Sequence, residues 1–144
     1  MVRMQRNKIA TEGNMTTIPF DDRDGAIWWD GTLIPWRDAR PHVLSHGLHY
    51  ATAVFEGERA YNGRIFRLRD HTERLIQSGR LLGFDIPWTA DQIDAACQET
   101  LAANGLTDGY VRPIAWRGSG SRSNRNRRMT GRNAMHASRN SDVS

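Results

Sequence analysis

Two dipeptides constrain this chain more than any other feature. Asp30-Gly31 separates Ile27-Trp28-Trp29 from Thr32-Leu33-Ile34, and Asn62-Gly63 separates a strand-like run, Thr52 to Tyr61, from a returning one, Arg64 to Leu68. Asp-Gly and Asn-Gly supply the positive φ angles of the tight primed turns, whose twist matches that of paired strands. Two hairpins therefore stand in the first half of the chain, and hairpins mean antiparallel pairing.

Helical signals follow. Asp70, with Glu73 three residues later, reads as a capping-box start. Leu75, Ile76, Gly79 and Leu82 form one face behind it, and Gly83 suits the stop. Thr89 with Gln92 repeats the capping logic. Ile93, Ala96, Cys97, Thr100 and Leu101 then recur at i, i+3, i+4, i+7 and i+8, an amphipathic face that Gly105 ends. Tyr110 to Trp116 reads as a strand, and Pro113 places it at an edge or a bulge. Hairpin, hairpin, helix, helix, strand predicts an α+β fold: a two-layer sandwich of antiparallel β-hairpins with two helices on one face.

The ends differ from this middle. Residues 1–25 are polar and without periodicity, which predicts a disordered N-terminal extension. Residues 26–117 carry the patterned domain. Residues 119–144 hold six arginines and one acid, Asp142, and no Leu, Ile, Phe, Trp or Tyr. That segment alone is +5 while the whole chain is +4, so the remainder is nearly neutral. Residues 118–144 are therefore expected to be a disordered Arg/Ser/Asn-rich tail, of the kind that a shifted reading frame or a shortened gene would produce. No apolar run is long enough to span a membrane, no secretory signal pattern opens the chain, and a single cysteine permits no internal disulfide. These features point to the cytoplasm.

Several residue groups carry possible chemistry. His42, His46 and His49 are spaced like ligands on a helix, but Gly47 interrupts such a helix and no cysteine is near, so they are read as loop histidines and no metal is expected. Ser45-His46 lacks a nucleophile elbow, which argues against a hydrolase. Cys97, on the apolar helix face, is read as a buried, inert thiol. Arg69 directly precedes the expected helix start at Asp70, where a guanidinium beside free backbone N–H groups makes a seat for phosphate; the competing reading is a surface arginine paired with Asp70 or Glu73. Tyr110 and Arg112 are two apart on a strand and so face one side, where a hydroxyl and a guanidinium can grip a carboxylate.

Four runs taken together resemble one family: WWDGTLIPWRDA (28–39), HVLSHGLHYATAVFEGERAY (42–61), IFRLRDHTERL (65–75) and YVRPIAWRG (110–118). In order and spacing they resemble the small N-terminal domain of branched-chain amino-acid aminotransferases, pyridoxal-phosphate (PLP) enzymes of fold type IV. The resemblance covers residues 26–117. It implies that Arg69 binds the PLP phosphate, that Tyr50, Phe55, Gly57 and Arg59 line the substrate pocket, and that Tyr110 and Arg112 lie near the substrate carboxylate. It also implies amino transfer between leucine, isoleucine or valine and 2-oxoglutarate, and a homodimer or higher assembly. The lysine that forms the Schiff base in this family lies in a second domain, and the one lysine here, Lys8, falls outside the resemblance. The chain by itself is thus expected to be catalytically incomplete. The alternative is a non-catalytic binding protein that uses its arginine-rich tail on a ligand or on nucleic acid, although the tail has no aromatic residue to stack on bases.

Overall fold

In the computed structural model, residues 18–118 and 131–139 are described. The first hairpin is β1 (Ala26–Trp29) and β2 (Thr32–Pro35), with Asp30 and Gly31 at φ 45° and 107°. A 3-10 turn (Trp36–Asp38) and a short helix α1 (His46–Tyr50) follow. The run from Thr52 to Tyr61 is broken into β3 (Ala53–Phe55) and β4 (Glu58–Tyr61), and the Asn62-Gly63 turn leads to a return strand of two residues only, β5 (Arg64–Ile65). Helices α2 (Leu68–Leu81) and α3 (Ala90–Ala103) come next, then the long strand β6 (Gly109–Arg117) and β7 (Gly131–Ser138).

Among the described residues, seven strands form one antiparallel sheet in the order β2-β1-β7-β6-β4-β5, with β3 also paired to β6. The expected α+β arrangement is present, with α2 and α3 on one face of the sheet. Among the described residues no helix is long and apolar enough to cross a membrane.

Four expectations are corrected. First, β6 is central, with β7 on one side and β3 and β4 on the other. Pro113 is tolerated there because the missing donor falls where the neighbouring strand is broken: Glu56 N donates to Pro113 O at 3.0 Å, while the return bond that an N–H at 113 would make is absent, between β3 and β4. Second, α2 begins at Leu68 and not at Asp70. Arg67 turns the chain from β5 into the helix in a left-handed conformation (φ 50°), and its Nε pairs with Asp70 in the first helical turn. Third, residues 18–25 of the expected N-terminal extension are held: the Trp36 indole donates to Phe20 O at 2.8 Å, and Arg37 pairs with Asp22 and Asp24. Residues 1–17 lie outside the described residues.

The fourth correction concerns the expected tail. Residues 131–138 are a strand in the middle of the sheet, paired with β6 over eight register positions from Arg117↔Gly131 to Tyr110↔Ser138, and with β1 through Trp28↔Met135 and Trp29↔Ala134. A segment with few large apolar residues is recruited because two neighbouring strands offer it their backbone hydrogen bonds. Three small or flexible side chains then suffice to fill the gap: Ala134, Met135 and Ala137 are all buried, and the Met135 Sδ accepts from Cys97 at 3.6 Å. Residues 119–130 and 140–144 lie outside the described residues.

The helix signals are otherwise as read, except that Leu82, expected on the apolar face of α2, is the residue that ends the helix and is exposed. Thr89 and Gln92 form the reciprocal capping box, and the face Ile93, Ala96, Cys97, Thr100 and Leu101 is buried in full. Both long helices end in a Schellman pair: Phe84 N donates to Gly79 O and Gly83 N to Arg80 O, while Leu106 N donates to Leu101 O and Gly105 N to Ala102 O. Gly83 and Gly105 take the positive φ that this ending needs. The core lies between these helices and the sheet residues Trp28, Ala60, Val111, Met135 and Ala137.

Candidate functional site

Strand alternation divides β6 cleanly. Val111, Pro113 and Ala115 face the helices and are buried, so Tyr110, Arg112, Ile114 and Trp116 face the other way. Register places Arg59 beside Tyr110, Phe55 beside Ile114, and His136 beside Arg112 on that second face. Five of the six substrate-pocket residues implied by the resemblance thus converge: Phe55, Gly57, Arg59, Tyr110 and Arg112.

Their geometry is fixed from two sides. The Arg112 guanidinium donates to the Tyr110 hydroxyl from Nε (3.1 Å) and Nη2 (2.9 Å), and it lies 4.8 Å from the Phe55 ring centroid. A guanidinium held by a hydroxyl and an aromatic face loses little side-chain freedom on meeting a carboxylate. Gly57 is needed for this arrangement: a Cβ there would come within 2.5 Å of the Tyr110 hydroxyl.

An apolar cavity of about 260 Å³ opens on the same face, with Ile114 and Trp116 of β6, Trp29 of β1 and Leu48 of α1 in its lining. Trp29 and Trp116 meet edge to face at 5.2 Å. His136 also lines the cavity, packed edge-on against Phe20 and Trp36. Burial, reinforced by Arg112 and Arg23, pushes His136 down to about 4, so it is neutral at physiological pH and adds no second positive charge beside Arg112. Sequence reasoning missed His136 because its segment carried no strand signal. Ile114 and Trp116 were readable from their alternation with Tyr110 and Arg112.

Tyr50 is not among the five that converge: it sits at the end of α1, exposed and with its ring 4.4 Å from that of His46. Gly47 does not interrupt a helix, as the sequence suggested. It lies inside α1, where a Cβ would come within 3.0 Å of Trp116. The three histidines each meet a local partner: His46 Nδ1 contacts Thr52 Oγ1 at 2.6 Å, His49 Nε2 contacts Val43 O at 3.0 Å, and His42 Nδ1 accepts from Leu44 N.

Arg69 is not on this face. It lies on α2, where its Nη2 pairs with Asp91 and, at 3.0 Å, with Asp94, both on α3. These are not the Asp70 and Glu73 named by the competing sequence reading. A cofactor phosphate brought to Arg69 would have to displace two carboxylates, and no lysine occurs among the described residues. Arg74, also on α2, is engaged as well: with His71 it grips Glu56 through Nε at 2.6 Å and Nη2 at 2.5 Å. Burial pushes the Glu56 carboxyl up, but Arg74 and His71 outweigh it and hold it below its ordinary value.

This geometry agrees with the comparisons. The amino-transferase class IV profile matches residues 53–141. The branched-chain-amino-acid aminotransferase of Pseudomonas aeruginosa is 47% identical over 102 residues, 68% of this chain and 33% of that protein. Among solved structures, the branched-chain aminotransferase of Thermoproteus uzoniensis with norvaline superposes with a TM-score of 0.73 at 38% identity, covering 81% of this chain and 41% of that one. The branched-chain amino acid aminotransferase of Thermobaculum terrenum in its PLP form gives 0.66 at 32% identity, covering 81% and 40%. The chain spans about a third of the length of the curated relatives it matches. With a profile match over more than half its length, and a fold that superposes on solved branched-chain aminotransferases, this chain belongs to the class IV aminotransferase family.

Proposed function

We propose that residues 26–117 form the substrate-facing wall of a PLP-dependent branched-chain amino-acid aminotransferase, which moves an amino group between leucine, isoleucine or valine and 2-oxoglutarate in the cytoplasm. The observation that carries this reading is the juxtaposition of the Tyr110–Arg112 pair with an apolar cavity on one face of the sheet. A guanidinium grips a carboxylate, and a dry pocket takes an aliphatic side chain. Phe55 stiffens the guanidinium, Gly57 leaves room for the Tyr110 hydroxyl, and Arg59 extends the positive wall beside it. Tyr50, exposed at the end of α1, belongs to the same wall by the resemblance. Exposed apolar side chains on and beside this face, Val43, Leu44, Leu48 and Phe55, are consistent with cover from a second copy, as in a homodimer.

The phosphate role that the resemblance gives Arg69 requires it to exchange Asp91 and Asp94 for the phosphate. The alternative of a nucleic-acid-binding tail loses part of its basis, because residues 131–138 serve the sheet.

The test is a chimera in which residues 26–117 replace the matching stretch of the Pseudomonas aeruginosa relative. It is expected to transaminate leucine with 2-oxoglutarate. Arg112→Leu in that chimera removes a charged grip worth about 2–3 kcal/mol, which should lower kcat/KM for leucine by roughly 30- to 150-fold. The 144-residue chain alone, whose one lysine is Lys8, is expected to transfer no amino group. A folded but inactive chimera, or an Arg112→Leu form as active as its parent, would overturn the reading.

A further inference from the structure

Glu58 is fully buried, and among the described residues no cation faces it. It stands on the helix-facing side of β4, opposite Val111 in register. Its sequence neighbours Gly57 and Arg59 point the other way, into the wall of the candidate site. Neither carboxyl oxygen has a nitrogen or hydroxyl donor among the described residues.

The groups around it make matters worse for a negative charge. From α3 come the Cys97 thiol and the Asp94 carboxylate, and from the link between β3 and β4 comes the Glu56 carboxylate. From α2, His71 and Arg74 are engaged by Glu56, Thr72 donates its hydroxyl to Asp94, and Arg69 pairs with Asp91 and Asp94. From β6 comes Val111, its register partner. The thiol is a weak donor, and it also points at Met135 Sδ. An ionised Glu58 would be a buried charge with two like charges beside it, whereas a protonated Glu58 is a neutral acid with a hydrogen to give.

We propose that Glu58 is a built-in alkaline switch: a neutral acid in the seated fold, whose ionisation unseats α3 from β4 and loosens the Gly57–Arg59 wall of the candidate site. Burial, opposed by Cys97 and reinforced by Glu56 and Asp94, pushes the group up to about 8. The unfolded chain releases this proton near the ordinary carboxyl value of 4.5, and the folded chain keeps it to about 8. Between those values the folded state binds one proton more than the unfolded state. Stability therefore falls as pH rises through the window and levels off above it.

The experiment compares thermal unfolding of the full 144-residue chain and its Glu58→Gln variant across that window. Glutamine keeps the shape and never ionises. The wild-type midpoint is expected to fall relative to the variant as pH rises, by roughly 10 °C in total, and the variant is expected to be the more stable at the alkaline end. Protection of the α3 amides, measured against the intrinsic base-catalysed exchange rate at each pH, should fall with ionisation in the wild type alone. Infrared spectroscopy gives an arm that needs no variant: a protonated-carboxyl stretch present at neutral pH and lost as pH rises past about 8. Parallel midpoint curves for the two proteins, or no such band at neutral pH, would overturn the proposal.

Discussion

A chain that stops at Gly118 is expected to lose its cooperative fold. The reason is topological: β7 lies between β1 and β6, so its removal separates the β1–β2 hairpin from the rest of the sheet. The hydrogen-bonding edge of β6 facing β7 would be left bare over eight register positions, and Met135 would vanish from beneath Trp28 and Cys97. Losing Met135 and Ala137 from the core alone costs several kcal/mol, on the order of the ~5–15 kcal/mol that holds a domain together. The shortened chain should show no sharp thermal transition, should bind a dye specific for exposed apolar surface, and should self-associate through the bare edge. Met135→Asp in the intact chain should do nearly as much, since it puts an unpaired charge at a site only 1% exposed. If the chain ending at Gly118 melts at the same temperature as the full one, residues 131–138 do not belong to the sheet.

Ile93→Ala should be the most damaging single truncation on α3. Ile93 is completely buried at the first turn of the apolar face, among residues drawn from both helices and the sheet. Removing its outer carbons forfeits their transfer energy and leaves a cavity that β6 and β7 are too firmly hydrogen-bonded to close. The expected loss is about 2–5 kcal/mol, a large share of the total stability. Glu99→Ala on the exposed side of the same helix should stay within about 0.5 kcal/mol of wild type. Urea unfolding of the two variants checks this. Equal midpoints would mean that α3 is not seated on the sheet through this face.

The contrast between those two helix positions shows how much was readable beforehand. The face from Ile93 to Leu101 was legible because a helix that buries one side must repeat its apolar residues every three or four positions. The same holds for the capping box at Thr89 and for the two hairpin turns, since backbone conformations with positive φ leave a local mark in the residue types. The Tyr110–Arg112 pair was legible too, because alternation on a strand is a local rule. The start of α2 was misread: Arg67 in a left-handed conformation is an uncommon helix opening, and Asp70 with Glu73 offered a better pattern. The helical α1 was hidden because Gly47 is a poor helix former, retained where the approach to Trp116 leaves no room for a Cβ.

By itself the sequence determined the antiparallel hairpins, the two helices and the buried face of α3, and the pairing of Tyr110 with Arg112 on one side of a strand. All of these follow from rules that act over a few residues. Tertiary structure alone decided that residues 131–138 become a central strand, that His136 and the cavity join Arg112, that Arg69 turns to Asp91 and Asp94, and that Glu58 is sealed away with no cation facing it among the described residues. Each of these depends on which neighbours the sheet brings together across tens of residues. Partnering at that range sets burial and charge, and it leaves no periodic signature in the chain.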